Sequence, residues 1–82
     1  MITVRLFGLI GIENNISLLN MGAGKVSWIL DEVVRQCPGI NREKLQQSVM
    51  FINKEQVNAY KVLSRTLKDG DELVLISPSS GG

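Results

Sequence analysis

Apolar and polar residues alternate at the start of the chain. In ITVRLFG, Ile2, Val4 and Leu6 share one face of an extended segment, whereas Phe7 falls on the opposite face. A period of two with β-branched residues predicts a strand. NISLLN (residues 15–20) predicts a second strand. Because the connection between the two segments contains glycine and asparagine, we expect them to form a hairpin.

The apolar spacing changes to that of a helix after residue 25. One face of an amphipathic helix is formed by Val26, Ile29, Leu30, Val33, Val34 and Cys37. The pair Pro38–Gly39 predicts the end of this helix. Gly24 or Ser27 is expected to cap its start. Asn41 predicts the cap of a second, short helix.

Three further strands are predicted in the second half of the chain. They lie in VMFIN (49–53), around Gln56–Val57 and in ELVLIS (72–77), and the residues 58–67 are expected to form an irregular connection. KDGDE predicts a hairpin turn in which Gly70 supplies a positive φ. The order β-β-α-(α)-β-β-β predicts an α+β fold with the main helix packed across one face of the sheet.

The second face of this sheet is expected to be partly apolar. Val74 and Ile76 alternate with Leu73 and Leu75, and Phe51 lies opposite its neighbours in the same way. One helix covers one face only. An apolar face that stays open often marks a site for a protein partner. Cover by the 58–67 connection and self-association are the alternatives.

Composition excludes several classes of function. The chain has 82 residues and a net charge of +1, without the basic stripe of a nucleic-acid or acidic-membrane binder. No apolar run approaches the roughly 18–20 residues that span a bilayer, and no signal peptide is evident. The single cysteine favours a reducing compartment, so we expect a cytoplasmic protein. The chain has no histidine, which argues against most acid–base and zinc catalysis.

Three motifs favour ordinary structural roles. MGAGKVS lacks the first glycine and the final Ser or Thr of a phosphate-binding loop, which favours a flexible strand-to-helix turn. DGDE (69–72) has too few oxygen ligands for a calcium loop. Cys37 ends the apolar stripe of the helix, so it is expected to be a buried hydrophobe without reactivity. No metal site is predicted.

The end of the chain carries a family resemblance. LKDGDELVLISPSSGG (67–82) resembles the end of the ubiquitin-like sulfur carriers, and within them it is most similar to the small subunit of molybdopterin synthase. ITVRLFG and FINKEQV are also similar to segments of that family. The resemblance implies a β-grasp (ubiquitin-like) fold with a mixed four- to five-stranded sheet. It implies a domain over 1–76 and a flexible Gly-Gly tail over 77–82.

The resemblance also implies a function. The Gly82 carboxylate would be adenylated by an E1-like adenylyltransferase that uses ATP, and a sulfur donor enzyme would convert it to a thiocarboxylate. The chain would bind no cofactor and would have no catalytic groups of its own. Its partner would be the large subunit of molybdopterin synthase. Tail threading is assigned to Ser79, Ser80 and Gly81, and the partner interface to Phe7, Phe51, Val74, Ile76 and Pro78.

Alternatives to this function remain open. Ser77–Pro78 and Ser79–Ser80 stand where the family usually has adjacent prolines and a small apolar residue. A thiamine-pathway sulfur carrier, a protein modifier conjugated through Gly82, and a plain interaction domain with incidental glycines are compatible with the same pattern.

Overall fold

The computed structural model describes residues 1–7, 18–37 and 39–76, and two layers make up this part of the chain. The strands are β1 (Ile2–Phe7), β2 (Leu18–Met21), β3 (Gly24–Lys25), β4 (Val49–Ile52), β5 (Glu55–Val57), β6 (Thr66–Leu67) and β7 (Glu72–Ile76). The helices are α1 (Val26–Gln36), α2 (Arg42–Gln46) and a 3₁₀ helix (Lys61–Ser64).

The main sheet has five strands in the order β2-β1-β7-β4-β5. The central strand β7 runs parallel to its neighbour β1, and every other neighbouring pair is antiparallel. The predicted α+β class is confirmed, as is the antiparallel pairing of the first two strands. Residues 8–17, which include the predicted turn between those strands, lie outside the described residues.

The core lies between this sheet and α1. β1 contributes Ile2, Val4 and Leu6, all at most 1% exposed, as the alternating pattern predicts. The other buried apolar residues are Met21, Val26, Ile29, Leu30, Val33, Cys37, Ile40, Leu45, Met50, Ile52, Val62, Leu67, Leu73 and Leu75. Every residue of the predicted α1 stripe is therefore in the core or packed against it, with Val34 partly buried. The 3.6-residue period was sufficient to identify the helix face.

The start of α1 differs from the prediction. Neither Gly24 nor Ser27 caps it; the N-cap is Lys25, which makes no side-chain capping hydrogen bond. The Val26 amide instead donates to the Arg65 carbonyl at 3.0 Å. Gly24 and Lys25 form β3, which pairs with β6. Residues expected to lie in a flexible turn therefore belong to a short pair of antiparallel strands. The first amides of a helix have no partner within the helix, and at many helix starts a capping side chain accepts from one of them. Here the carbonyl of a residue distant in the sequence accepts instead.

The 58–67 connection is more regular than predicted. It contains the 3₁₀ helix and β6, and its Val62 and Leu67 are buried in the same core as α1. These residues pack on the helix side of the sheet. The alternative in which this connection covers the second face of the sheet is therefore wrong.

Two turns lie at the end of the sheet where β7 begins. Asn53 and Lys54 have positive φ values of 50° and 73° in the tight β4–β5 turn. Gly70 has the predicted positive φ, 95°. The hairpin expected around it is wrong, because β6 pairs with β3 while β7 pairs with β1 and β4.

The short helix α2 begins as predicted. The Asn41 side-chain oxygen accepts hydrogen bonds from the amides of Glu43 and Lys44, at 2.7 and 3.2 Å. This is the geometry of a side-chain N-cap. The end of α1 also agrees with the prediction, although Pro38 lies outside the described residues.

Candidate functional site: the outer patch and the end of β7

The face of the sheet away from α1 carries a group of neighbouring apolar residues, which we call the outer patch. It consists of Phe7, Leu18, Val49, Phe51, Val74 and Ile76. Ile76 is paired with Phe7 on one side and with Val49 on the other, and Val74 is paired with Phe51. Directly paired residues point to the same face of a sheet. The pairing therefore brings together the four predicted interface residues that the structure describes.

The outer patch is only partly protected from solvent. Phe7 is 46% exposed and Leu18 is 50% exposed, whereas Val74 and Ile76 are partly buried between their neighbours. The buried residues of both α-helices and of the 3₁₀ helix belong to the core on the other side. No helix among the described residues covers this face. Exposed and contiguous apolar surface of this kind is typical of protein interaction sites.

One ion pair lies within the outer face. The Arg5 guanidinium donates from Nε to Glu72 Oε2 at 2.6 Å. Arg5 is paired with Val74 on one side and with Leu18 on the other, so its charge lies between apolar residues. An ion pair this exposed contributes little to folding. Its clearer consequence is to interrupt the apolar surface between β2 and β7.

The C-terminal segment follows directly from the outer patch. Ile76 ends β7 between Phe7 and Val49. The six residues after it are Ser77, Pro78, Ser79, Ser80, Gly81 and Gly82. They lie outside the described residues, so the predicted roles of Pro78 in the interface, of Ser79, Ser80 and Gly81 in threading, and of Gly82 in the chemistry stay predictions. Six extended residues reach about 20 Å.

The acidic residues of DGDE lie at the opposite end of β7. The Asp71 carboxylate accepts from the Lys68 amide at 2.8 Å and from Asn53 Nδ2 at 3.0 Å. The Lys68 hydrogen bond, followed by that of Asn53, lowers the pKa of Asp71. Asp69 pairs with the N-terminal amine and Glu72 with Arg5. The acidic residues of DGDE thus make contacts within the protein.

In the part of the chain that the structure describes, neither a metal site nor a reactive thiol is supported. No three His, Cys, Asp or Glu side chains there cluster as metal ligands. Cys37 is 1% exposed, and burial raises the pKa of its thiol, as expected for an unreactive hydrophobe. No helix in the described ranges is long and apolar enough to cross a membrane.

Sequence reasoning missed two residues of this face. Leu18 was assigned to the second strand without a facing direction, because the pattern of residues 15–20 does not alternate. Arg5 was not singled out, because its partner Glu72 is 67 positions away and the pairing has no local signal. The register of β1 with β2 places Leu18 beside Arg5, and the register of β1 with β7 places Glu72 on the same face.

Comparison with known proteins places the chain in a family. The ThiS family model matches residues 12–82, which include the Gly-Gly end. No curated protein matches the chain.

Solved structures share the fold over nearly the whole chain. Small archaeal modifier protein 1 (SAMP1) from Methanosarcina acetivorans has a TM-score of 0.81 at 21% identity, and the match covers 99% of this chain and 95% of that one. A chain of the BexX/CysO complex from Amycolatopsis orientalis has a TM-score of 0.73 at 24% identity, with 100% of both chains covered. A chain of the complex of molybdopterin-converting factor subunits 1 and 2 from Helicobacter pylori 26695 has a TM-score of 0.67 at 25% identity, with 99% and 97% covered.

These matches agree with the resemblance that the sequence carries and with the observed sheet order. The predicted β-grasp fold is confirmed. The chain belongs to the ThiS family and has the fold of the ubiquitin-like sulfur carriers.

Proposed function

We propose that this protein is a sulfur carrier for molybdopterin biosynthesis and that it acts as the small subunit of molybdopterin synthase. The observation that carries the proposal is the position of Ile76, the last residue of β7, inside the outer patch. The segment that ends at Gly82 follows Ile76 in the sequence, so a protein that binds the patch is next to the point where this segment starts. The match of the ThiS family model through residue 82 supports the same role for the tail.

The chemistry proposed for Gly82 has two steps. In the first, a carboxylate oxygen attacks the α-phosphorus of ATP on an activating enzyme, and pyrophosphate leaves. In the second, a donor supplies sulfur at the oxidation level of sulfide; the sulfur attacks the acyl carbon, and AMP leaves. The net change replaces one carboxylate oxygen by sulfur, without oxidation or reduction of the carrier. All acid, base and metal groups belong to the partner enzymes, which is consistent with a chain that has no histidine.

The small residues of the tail are suited to this role. Gly81 and Gly82 have no side chains, so the backbone that ends in the carboxylate fits a narrow channel. The outer patch would bind the activating enzyme and, afterwards, the large subunit. The complex of subunits 1 and 2 of the molybdopterin-converting factor, one chain of which is similar to this protein, supports a subunit partner of this kind.

Mass spectrometry of the intact protein tests the proposal. When the chain is incubated with ATP, an activating enzyme of the molybdopterin pathway and a sulfur donor, its mass should rise by the difference between sulfur and oxygen. Gly82→Val should abolish this change and leave thermal stability nearly unaltered. Gly22→Val is a matched control, because a side chain at Gly22 meets no atom within 4 Å. A chain that reacts only with an enzyme of the thiamine pathway would contradict the molybdopterin assignment.

Conjugation to other proteins through Gly82 is the second candidate. It is favoured by the same terminal Gly-Gly and by the similarity to small archaeal modifier proteins. Higher-mass conjugates in cells, lost when Gly82 is removed, would support it. Full function after removal of both Gly81 and Gly82 would contradict both candidates and leave a plain interaction domain.

A further inference from the structure

A cleft of about 290 Å³ lies at the β5 edge of the molecule, away from the outer patch. Its lining is Val57, Asn58, Lys61, Val62 and Arg65. Val57 is paired with Met50, a core residue, so the cleft is on the helix side of the sheet. The cleft and the outer patch therefore lie on opposite sides of the sheet, and one partner on the patch leaves the cleft accessible.

The walls of the cleft are held by hydrogen bonds. The Asn58 side-chain oxygen accepts from the amides of Tyr60 and Lys61, at 2.9 and 3.0 Å, and so orients the start of the 3₁₀ helix. Arg65 donates its amide to the Val62 carbonyl at 2.9 Å, and its own carbonyl accepts from Val26 at 3.0 Å. The backbone beneath the two cationic side chains is therefore fixed on both sides.

The charge of the cleft has one sign. Among the described residues, the charged side chains that line it are Lys61 and Arg65, and no acidic side chain lines it. Outside the lining, the Asp71 carboxylate is within electrostatic reach of Arg65, whose charge adds to the Lys68 and Asn53 hydrogen bonds that lower the pKa of Asp71. Within the described ranges, every ion pair involves other cationic groups: the N-terminus, Arg5, Arg35 and Arg42. Lys61 and Arg65 therefore present their charges at the rim of the cleft without an ion-pair partner in this part of the chain.

The floor of the cleft is apolar. Val62 is 5% exposed and Val57 is partly buried. A phosphate or sulfate ion would pair with the cations Lys61 and Arg65 but would leave the apolar floor in contact with water. The volume is at the lower limit of the roughly 300–1,000 Å³ that small-molecule pockets occupy, and it suits one or two side chains of a peptide.

We propose that this cleft binds an acidic peptide segment of a protein partner. The segment places an apolar side chain on Val57 and Val62, and its flanking carboxylates pair with Lys61 and Arg65. Charge complementarity sets the specificity, because rim charges mainly select and orient partners. The interaction does not depend on the chemistry of Gly82.

The proposal is tested by NMR on the full ¹⁵N-labelled chain with a five-residue peptide that alternates glutamate and leucine. We expect saturable shifts of the amides of Val57, Asn58, Lys61 and Val62. Peptides with glutamine or lysine in place of glutamate should bind much more weakly. The double variant K61Q/R65Q should weaken binding about tenfold, because it removes both charges.

A charge-matched control separates this site from a general effect of positive charge. K54Q/K68Q removes two charges from side chains that do not line the cleft. It should change the affinity less than twofold. Both double variants alter exposed side chains, so their urea midpoints should equal that of the unchanged chain.

Four results would overturn the proposal. The first is the absence of saturable shifts with the acidic peptide. The second is an equal loss of affinity in the two double variants. The third is displacement of the peptide by inorganic phosphate at constant ionic strength, which would mean a simple anion site. The fourth is a shift of the same amides when Gly81 and Gly82 are deleted, which would mean that the chain's own end occupies the cleft.

Discussion

The two faces of the main sheet are both apolar but differ in what covers them. On the inner face, Leu73 and Leu75 are fully buried against the core. On the outer face, Val74 and Ile76 come from the same strand and remain partly exposed. β7 is apolar at four consecutive positions, 73–76, and a continuous apolar run ordinarily belongs to a sheet covered on both sides. Here the helices among the described residues cover one side, so the other side retains partly exposed apolar surface.

The largest expected effect separates the two faces by stability. Leu75→Ala should lower the free energy of unfolding by about 3 kcal/mol, because it leaves a cavity in a closed core. Val74→Ala, one residue away, should cost under about 1 kcal/mol, because its site is partly open to solvent. Urea denaturation of both variants measures the difference. Equal losses would mean that the outer face is as closed as the inner one.

A second prediction concerns binding at the outer patch. Phe7→Asp or Ile76→Asp should weaken the complex with the proposed activating enzyme or large subunit tenfold or more, roughly the effect of removing a central apolar contact. The isolated domain should stay folded. Trp28→Asp is a matched control, because Trp28 on α1 is 49% exposed and Phe7 is 46% exposed. Unfolding of the Phe7 and Ile76 variants would place these side chains in the core.

A smaller effect is expected from the ion pair on the outer face. Arg5→Leu removes the charge between Leu18 and Val74 and extends the apolar surface across β1. The free energy of unfolding should change by less than about 1 kcal/mol, as for exposed ion pairs. The variant should self-associate in sedimentation experiments at concentrations where the unchanged chain does not. A purely monomeric Arg5→Leu chain would show that this charge does not limit self-association.

The smallest effect lies outside both faces, on the exposed side of α1. Hydrogen bonds from Arg35, followed by those from Gln36, lower the pKa of Glu32 from 4.5 to about 2. Because the pKa is lower in the folded state, the ionised carboxylate stabilises the fold above pH 4.5, and this contribution disappears as the pH falls toward 2.

Stability of the Glu32→Gln variant should therefore decline only slightly less than that of the unchanged chain between pH 4.5 and 2, since the partner Arg35 is exposed and solvent weakens the interaction. Denaturation at several pH values measures the slope. A large change of slope would mean that Glu32 contributes to the fold as strongly as the inner face does.

Local patterns predicted the elements whose faces are defined by many residues. The strand β1 and the helix α1 repeat their apolar spacing over several positions, so the buried residues of each were predicted correctly. The Asn41 cap and the positive φ of Gly70 are also local, because the side chain or the backbone of one residue accounts for each.

The sequence-based predictions were wrong where two segments that are distant in the chain meet. β3 and β6 have two residues each, too few for a period, and they exist because Gly24 pairs with Leu67. The missing cap of α1 has the same cause, since the Arg65 carbonyl takes the place of a side chain. Most residues of the candidate site were predicted, because the alternation within each strand identified the outward side chains. The places of Leu18 and of Glu72, the partner of Arg5, could not be predicted in this way because they depend on how the strands are aligned with one another.

The sequence alone determined the α+β order of elements, the apolar residues on both faces of β4 and β7, and the Gly-Gly end. Each of these depends on residues that are neighbours in the chain. The tertiary structure decided that β7 lies between β1 and β4, that Ile76 ends in the outer patch, and that Lys61 and Arg65 share one cleft. These arrangements result from contacts between residues far apart in the chain, which local periodicity does not encode.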